Sequence, residues 1–368
     1  MHFSRYVLQY IQKQFRGGNF VKKIKLVGLG LVATLSLAAP AVLSSVSVFD
    51  YTPAIVQAQE EGTVLKVAYL AAHGDRSFTS VAVLVKGDVI VDAYLDEYQY
   101  SEGYEGVPNS DAGFGESFPE GLVLASKKVN AEAYSASMAE KAGSTVAYDE
   151  NLGAIEASVK GKTFEEVEAL VAELDALGED GNVSDVVSGA TLADAGGYVG
   201  AILEAAKTGM EFPTAASEAS DLEIKQVLAA PHGDKSFALV NVVMDGDVIV
   251  AASLDEFQFV QGDQWTGVPN SAAAFGENYP EGSILVSKLV DSEGYSAMMT
   301  EKAGSTVSYI DNLKAVVASA VGKTTDEVAA TIEELNGLGE DGNVSDVVSG
   351  ATLADAGGYL QAILDAAK

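Results

Sequence analysis

Two threonines, Thr191 and Thr352, sit in the same chemical setting. Each directly follows Ser-Gly-Ala (Ser188, Gly189, Ala190 and Ser349, Gly350, Ala351), and an aspartate, Asp185 or Asp346, stands six positions before it. The run GEDGNVSDVVSGATLADAGGY around them occurs from Gly178 and returns unchanged from Gly339. A hydroxyl preceded by three small residues can accept a transferred group without obstruction, and a loop entering a helix offers free N–H groups and a positive dipole end to a phosphate. The same letters have a plainer use: Thr191 with Asp194, and Thr352 with Asp355, match the Thr-x-x-Asp spacing of a helix N-cap. Capping leaves the Ser-Gly-Ala unexplained. The pairs Gly196-Gly197 and Gly357-Gly358 weaken a first helical turn by roughly 1 kcal/mol per glycine. A flat group lying on bare backbone would compensate.

Other constellations carry less. His73-Gly-Asp75-x-Ser77 and His232-Gly-Asp234-x-Ser236 hold the letters of a hydrolase triad, but no Gly-x-Ser-x-Gly elbow is present and triad members ordinarily come from separate segments. A hydrogen-bonded turn histidine is the preferred reading, with a histidine beside a cofactor as the alternative. Asp180, Asn182 and Ser184 imitate the start of a calcium loop, which then fails at Asp185, where glycine is required, and at Thr191, where glutamate is required. No catalytic residue and no metal ligand set is expected. Tyr98 and Tyr100, matched by Phe257 and Phe259, alternate onto one strand face as core residues or as stacking partners for a flat ring. Tyr134 and Tyr295, each near Met138 or Met299, carry the same ambiguity.

The elements that position these residues come in two copies. AAHGDRSF from Ala71 answers APHGDKSF from Ala230, and GVPNS and EKAGSTV each occur twice, with a two-residue insertion near Trp265 shifting the register. The repeats predict tandem units over residues 62–207 and 222–368, joined by a polar connector, 208–221, that contains Pro213. In each, β-branched runs around Gly-Asp (Ser80 to Leu95, Leu239 to Leu254) predict a hairpin. Val167, Leu170, Val171, Leu174 and Leu177 form a helical stripe behind a Thr163/Glu166 capping box, repeated at Thr324/Glu327. A closing helix carries Leu192, Ala195, Val199 and Ile202, so the threonine motif lies where a loop enters it. The expected class is α+β, each unit a small antiparallel sheet packed with helices.

Composition bounds the partners. The 368 residues carry 22 Lys and Arg against 53 Asp and Glu, a net charge of −31 at pH 7. Such a surface repels nucleic-acid phosphates and anionic lipids. The chain has no cysteine, which removes disulfides, thiolate metal sites and thiol nucleophiles, and leaves redox chemistry to a bound cofactor. All six basic residues before Leu26 stand without an acid among them, ahead of an uncharged stretch from Leu26 to Phe49. Residues 1–58 therefore read as a basic region plus a signal peptide, with a small-residue cleavage site at Val56-Gln57-Ala58, or as an uncleaved membrane anchor. Either places the remainder outside the membrane.

The pattern DVVSGAT, Asp185 to Thr191 and Asp346 to Thr352, resembles the flavinylation motif of FMN-binding domains. The segments LASKKVNAEAYSASMAEKAGSTVAYDENLGAIEASVKGKTFEEV and LVSKLVDSEGYSAMMTEKAGSTVSYIDNLKAVVASAVGKTTDEV are similar to the exported FMN-carrying domains of Gram-positive bacteria that serve extracellular electron transfer. The resemblance spans nearly all of both repeats. It departs in one respect, since relatives are often lipoproteins and this chain lacks the required cysteine. It implies two covalent FMN groups, joined by phosphoesters to Thr191 and Thr352 by a flavin transferase that uses FAD and magnesium. Asp185 and Asp346 would assist recognition or metal binding during that modification. The resemblance further implies an electron donor linked to membrane quinone and extracellular acceptors such as ferric iron or free flavin. The acidic surface should lower the flavin potential, blunted by salt. Two other classes remain open: a cell-surface binding module acting through avidity, and a reductase of an organic acid, for which no arginine cluster is present.

Overall fold

The β-branched runs flanking Gly87-Asp88 and Gly246-Asp247 form the predicted hairpins. In the computed structural model, which describes residues 62–368 apart from Ser117, Glu179, Asp180, Asp263, Glu340 and Asp341, they are β2 (Ser77–Lys86) with β3 (Val89–Glu102), and β7 (Ser236–Asp245) with β8 (Val248–Gln261). Gly87 and Gly246 both take a φ of +61°, the left-handed backbone such tight turns require. The export segment, residues 1–58, lies outside the described residues.

Around each hairpin the element order repeats. The first half comprises β1 (Thr63–Leu70), β2, β3 and β4 (Leu122–Ser126), then helices α1 (Ala131–Ala142), α2 (Tyr148–Val159), α3 (Phe164–Ala176) and α4 (Ala195–Thr208). The segment read as a polar connector contributes a further strand, β5 (Met210–Phe212), which pairs with β1 and buries Phe212. The second half comprises β6 (Ile224–Ala229), β7, β8 and β9 (Ser283–Ser287), then α5 (Ser292–Ala303), α6 (Tyr309–Ala320), α7 (Thr325–Asn336) and α8 (Ala356–Ala366). The two antiparallel sheets have strand orders β4-β3-β2-β1-β5 and β6-β7-β8-β9. The class is α+β. Both capping boxes form: Thr163 accepts from the Glu166 amide, and Thr324 from that of Glu327.

Burial shows why the halves lie together. Every residue of β2 except Lys86 is buried. Val81, Val83 and Val85 point to the helices of their own half, among Leu152, Ile155, Val199 and Ile202. Ala82 and Leu84, on the other face, join a cluster that includes Ile224, Ala252 and Leu254 of the second half. A third cluster is aromatic and built from both halves: Phe78, Tyr98, Tyr100 and Phe114 with Phe237, Phe257 and Phe275. Phe78 stacks on Phe257 with ring centroids 5.6 Å apart, and the Tyr98 hydroxyl donates to Gln226 Oε1 at 3.1 Å. Tyr98 and Tyr100 are therefore core residues, closed to a stacking cofactor. Offset aromatic contacts add to the area they remove from water.

Two loops lock the halves reciprocally. Asn109 Nδ2 donates to the carbonyls of Gly233 (2.9 Å) and Ser236 (2.7 Å), while Asn270 Nδ2 donates to those of Gly74 (3.0 Å) and Ser77 (2.7 Å). The Phe114 amide donates to Asp234 O and the Phe275 amide to Asp75 O. Among the described residues, Asn109 and Asn270 are the non-glycine positions with positive φ, +65° and +66°. Asparagine tolerates that region better than most side chains.

Removing Phe78 at the centre of the aromatic cluster should cost about 3–5 kcal/mol, the usual range for Phe→Ala in a packed core. Calorimetry of Phe78→Ala should show one transition moved to lower temperature for both halves together. Two separated transitions, one at the wild-type temperature, would mean that the halves do not share this core.

Candidate functional site

Each Ser-Gly-Ala-Thr turn is held by a buried asparagine. Asn151, on the first turn of α2 and fully buried, accepts at Oδ1 from the Thr191 amide (2.6 Å), the Thr191 hydroxyl (3.2 Å) and the Leu192 amide (3.2 Å). Its Nδ2 donates both protons, to the carbonyls of Val146 and Ala147. Asn312 repeats the arrangement, accepting from the Thr352 amide (2.5 Å) and hydroxyl (3.1 Å) and donating to Val307 and Ser308. A buried carboxamide satisfied on both sides is a rigid fixing point. Nothing in the motif signalled it, although Asn-Leu at the same place in both repeats was a readable hint.

The rest of the turn follows. Ala190 and Ala351 are fully buried, and Gly189 and Gly350 take φ values of +91° and +87° that a side chain would strain. Ser188, Ser349, Thr191 and Thr352 are exposed. Asp185 and Asp346 end short 3₁₀ turns, Val183–Asp185 and Val344–Asp346, with exposed carboxylates. Asn182 Nδ2 donates to Asp185 Oδ1 at 3.3 Å. Each half thus carries its five motif residues on two successive turns, the aspartate on a short 3₁₀ turn and Ser-Gly-Ala-Thr on the next, with the aspartate and threonine exposed.

Two expectations for this stretch change. Thr191 and Thr352 do not cap the closing helices. These begin at Ala195 and Ala356 after Asp194 and Asp355, which make no side-chain cap bond. The Asn151 and Asn312 carboxamides take the threonines instead. Nor does a helix start present free amides at Thr191: the Thr191 and Leu192 amides go to Asn151, and the Ala195 and Gly197 amides to the carbonyls of Leu192 and Asp194. The double glycines also have an occupant within the chain. A Cβ on Gly197 would lie 2.3 Å from Ala72 O, and one on Gly358 2.7 Å from Pro231 O. The loop carrying the histidine lies where a flat group was expected.

That loop makes the second contact of the site. His73 Nδ1 lies 2.6 Å from Asp194 Oδ2, and His232 Nδ1 lies 2.6 Å from Asp355 Oδ2. The hydrogen bond that His73 Nδ1 donates to Asp194 holds the imidazole above its ordinary value against the opposing effect of burial, with the Glu97 charge adding to the rise and Lys127 opposing it. The same bond holds Asp194 below the usual carboxylate range. The Ser77 hydroxyl donates to the Glu97 carboxylate, with His73 O a second acceptor within reach, and makes no hydrogen bond to the imidazole, so the triad letters form no triad.

Behind the loop lies a charged pair in an apolar wall. Lys127 Nζ is 2.9 Å from Glu97 Oε2, with side chains 2% and 0% exposed; Lys288 and Glu256 are paired at 2.8 Å. Tyr198 donates to Glu97 at 2.6 Å and Tyr359 to Glu256 at 2.7 Å. Burial alone would lower Lys127, and the Glu97 charge with Tyr134 overcomes it and holds the ammonium above its usual value. Burial pushes the Tyr198 hydroxyl up, reinforced by Glu97. Such pairs survive burial only when hydrogen bonds complete them, and breaking one partner costs about 3–5 kcal/mol. Lys127 also sits 4.7 Å over the Tyr134 ring, and Lys288 4.7 Å over Tyr295. Tyr134 and Met138 are half-buried on α1, a helix with no fully buried residue.

The residues present fit a phosphoester at each threonine. The threonine is exposed, its neighbours are small, and Gly189 has only the Ala154 methyl within reach of an added Cβ, at 3.4 Å. Among the described residues no group of three His, Cys, Asp or Glu is placed to hold a metal, and Asp180 of the imitation calcium loop lies outside them. A cleft of ≈ 340 Å³ between the halves, lined by Tyr94, Asp96, Lys128 and Gln226 among others, includes no motif residue. Among the described residues no helix is long and apolar enough to cross a membrane. Comparison of the chain with protein-family models, curated proteins and solved structures gives no match.

The His73–Asp194 pair sets a pH dependence. Because His73 is raised, its contribution to stability is fully present below about pH 6.5 and is lost as pH rises through its folded value. Because Asp194 is lowered, its contribution is present above about pH 4 and is lost as pH falls further. The melting-temperature deficit of His73→Gln should therefore be larger at pH 6 than at pH 9. An equal deficit at both would mean that the contact acts as a neutral hydrogen bond only.

Proposed function

We propose that this chain is an exported electron-transfer flavoprotein carrying two covalent FMN groups, on Thr191 and Thr352. One observation carries the reading: two exposed threonines, on identical turns, each anchored through its own backbone to a buried asparagine. A cap or core residue has no use for that combination. The hydroxyl donates to the carboxamide, so its lone pairs are turned away and open to an electrophile.

In the transfer, the threonine oxygen forms a bond to the flavin-side phosphorus of FAD, the P–O–P anhydride breaks, AMP leaves with the bonding pair, and the hydroxyl proton passes to a base of the flavin transferase. Asn151 and Asn312 keep their bonds to the threonine amides throughout, so the modified turn stays where it was. Asp185 and Asp346 are exposed on the preceding 3₁₀ turn, which is consistent with their assisting recognition or metal binding during the modification. Bound FMN supplies one- and two-electron redox chemistry. The half-buried Tyr134 and Tyr295 offer rings near the Lys–Glu pairs, while Tyr98 and Tyr100 do not. Electrons would come from a membrane quinone-linked donor and leave to extracellular acceptors such as ferric iron or free flavin. A non-redox acidic binding module is the alternative.

Coexpression with a flavin transferase should raise the intact mass by two FMN units and turn the protein yellow. Thr191→Ala and Thr352→Ala should each remove one unit, and the double variant both. Colourless protein with bare threonines, beside a transferase active on another substrate, would leave the binding-module reading.

A further inference from the structure

We infer that each modification turn is held in shape by the opposite half of the chain, with Asn270 acting as the positioning residue for Thr191 and Asn109 for Thr352. This rests on the flavinylated reading for its first test and on geometry alone for its second.

The link runs through the histidine loop. Residues 72–77 leave β1 and turn back into β2. Three of their carbonyls are taken by the second half: Gly74 O and Ser77 O by Asn270 Nδ2, at 3.0 and 2.7 Å, and Asp75 O by the Phe275 amide at 2.9 Å. On its other side the loop clasps the start of α4. His73 Nδ1 meets Asp194 Oδ2 at 2.6 Å, and Ala72 O sits against Gly197, too close for any side chain there. Asp194 follows Thr191 by three residues, and the Ala195 amide donates back to Leu192 O at 3.0 Å. Contacts therefore run without a gap from Asn270 through the 72–77 loop to the backbone beside Thr191. The mirror path runs from Asn109 and Phe114 through Gly233, Asp234 and Ser236 to His232, Asp355 and Thr352.

The hook is itself stiff. Asn270 holds a φ of +66°, its carbonyl accepts from the Gly276 amide at 3.3 Å, and a Cβ on Gly276 would lie 1.9 Å from Ser271 O. Asn109 and Gly115 repeat these features, with a φ of +65° and a 1.9 Å approach to Ser110 O. A left-handed asparagine spends conformational strain, and here the return is a carboxamide delivered across the interface. Its own half holds the loop at the two ends, through His73 and Ser77, while Gly74, Asp75 and Arg76 at the tip are all exposed.

Asn270→Gly separates the hook from the fold, because glycine keeps the positive φ and removes only the amide. In the full chain, coexpressed with limiting transferase and read by peptide mass mapping, occupancy of Thr191 should fall by at least about fivefold, the population change that goes with one ordinary hydrogen bond. Occupancy of Thr352 should hold. Asn109→Gly should show the reverse. Unchanged occupancy at both threonines, or equal loss at both, overturns the inference, since equal loss is what general destabilisation produces. Bare threonines in the wild-type protein would sink the flavinylated reading instead. The second measurement then decides: hydrogen exchange on the unmodified full chain should speed up over 71–77 and 191–198 in Asn270→Gly and stay unchanged over 352–359, and identical exchange in both segments overturns the coupling.

Discussion

A strand buried on both faces is the constraint from which the rest follows. β2 and β7 each lie in the middle of a sheet, with helices of their own half on one side and the opposite sheet on the other. Helices on one face can cover only the odd positions of β2; Phe78, Ala82 and Leu84 need a second apolar surface or remain in water. The other half supplies it. That requirement places the aromatic cluster at the boundary, closes Tyr98 and Tyr100 away from ligands, and sets the two histidine loops against the hooks of the partner half. A chain of two such repeats meets in one molecule a surface that a single repeat would have to cover by other means.

Against that apolar background the buried charges need their own account. Asp96 and Glu97 are consecutive on β3, so alternation sends them to opposite faces, and both are buried. Glu97 faces the helices and is completed by Lys127, Ser77, Tyr148 and Tyr198. Asp96 accepts from Ser126 and the Lys128 amide, and burial still raises its carboxyl. Its counterpart Asp255 accepts from Ser287 and the Leu289 amide, where leucine replaces the lysine, and burial pushes it up to about 7. The Lys128 charge lowers Asp96 against that burial, and no ammonium stands in that place beside Asp255.

Much of the frame was legible in the sequence because its causes are local. Gly-Asp between β-branched runs needs only neighbours to become a hairpin, and Thr163 with Glu166 needs only one helical turn. The repeat fixed the equivalence of the halves without any structure. The motif placed its five residues in each half on the loop ahead of the closing helix, as the structure has them. What stayed hidden depends on partners distant in sequence. Asn151 lies forty positions before Thr191, and nothing about an isolated asparagine on a helix announces the amides it will accept. Without it, Thr-x-x-Asp read as a cap. Gly197 likewise looked like room for a ligand because the approach of Ala72 O comes from the far end of the fold. The connector read as polar for the same reason: Met210 and Phe212 gain a strand only once β1 is beside them.

The internal duplication separates what the turn needs from what the surroundings tolerate. Glu97, Lys127, Asn151, Asp194 and Tyr198 recur as Glu256, Lys288, Asn312, Asp355 and Tyr359, with the same partners. A few ångströms to the side the copies differ completely. In the first half Lys128 pairs with Glu156 at 2.7 Å and sits over Tyr94, and Lys160 pairs with Asp92; leucine, valines, serine and alanine stand in those places in the second half, at Leu289, Val317, Ser253, Val321 and Ala251. Either composition holds α2 or α6 on its sheet, because a completed ion pair and a well-packed apolar patch are energetically similar solutions. The same freedom was open at Glu97 and Glu256, where an apolar pair would pack as well. Both positions kept a buried charge, under the histidine loop and within hydrogen-bond reach of the closing helix. Packing gives no reason for that recurrence, whereas the hydrogen bonds that Tyr198 and Tyr359 of the closing helices donate to these carboxylates do, because a fully satisfied buried network fixes one arrangement.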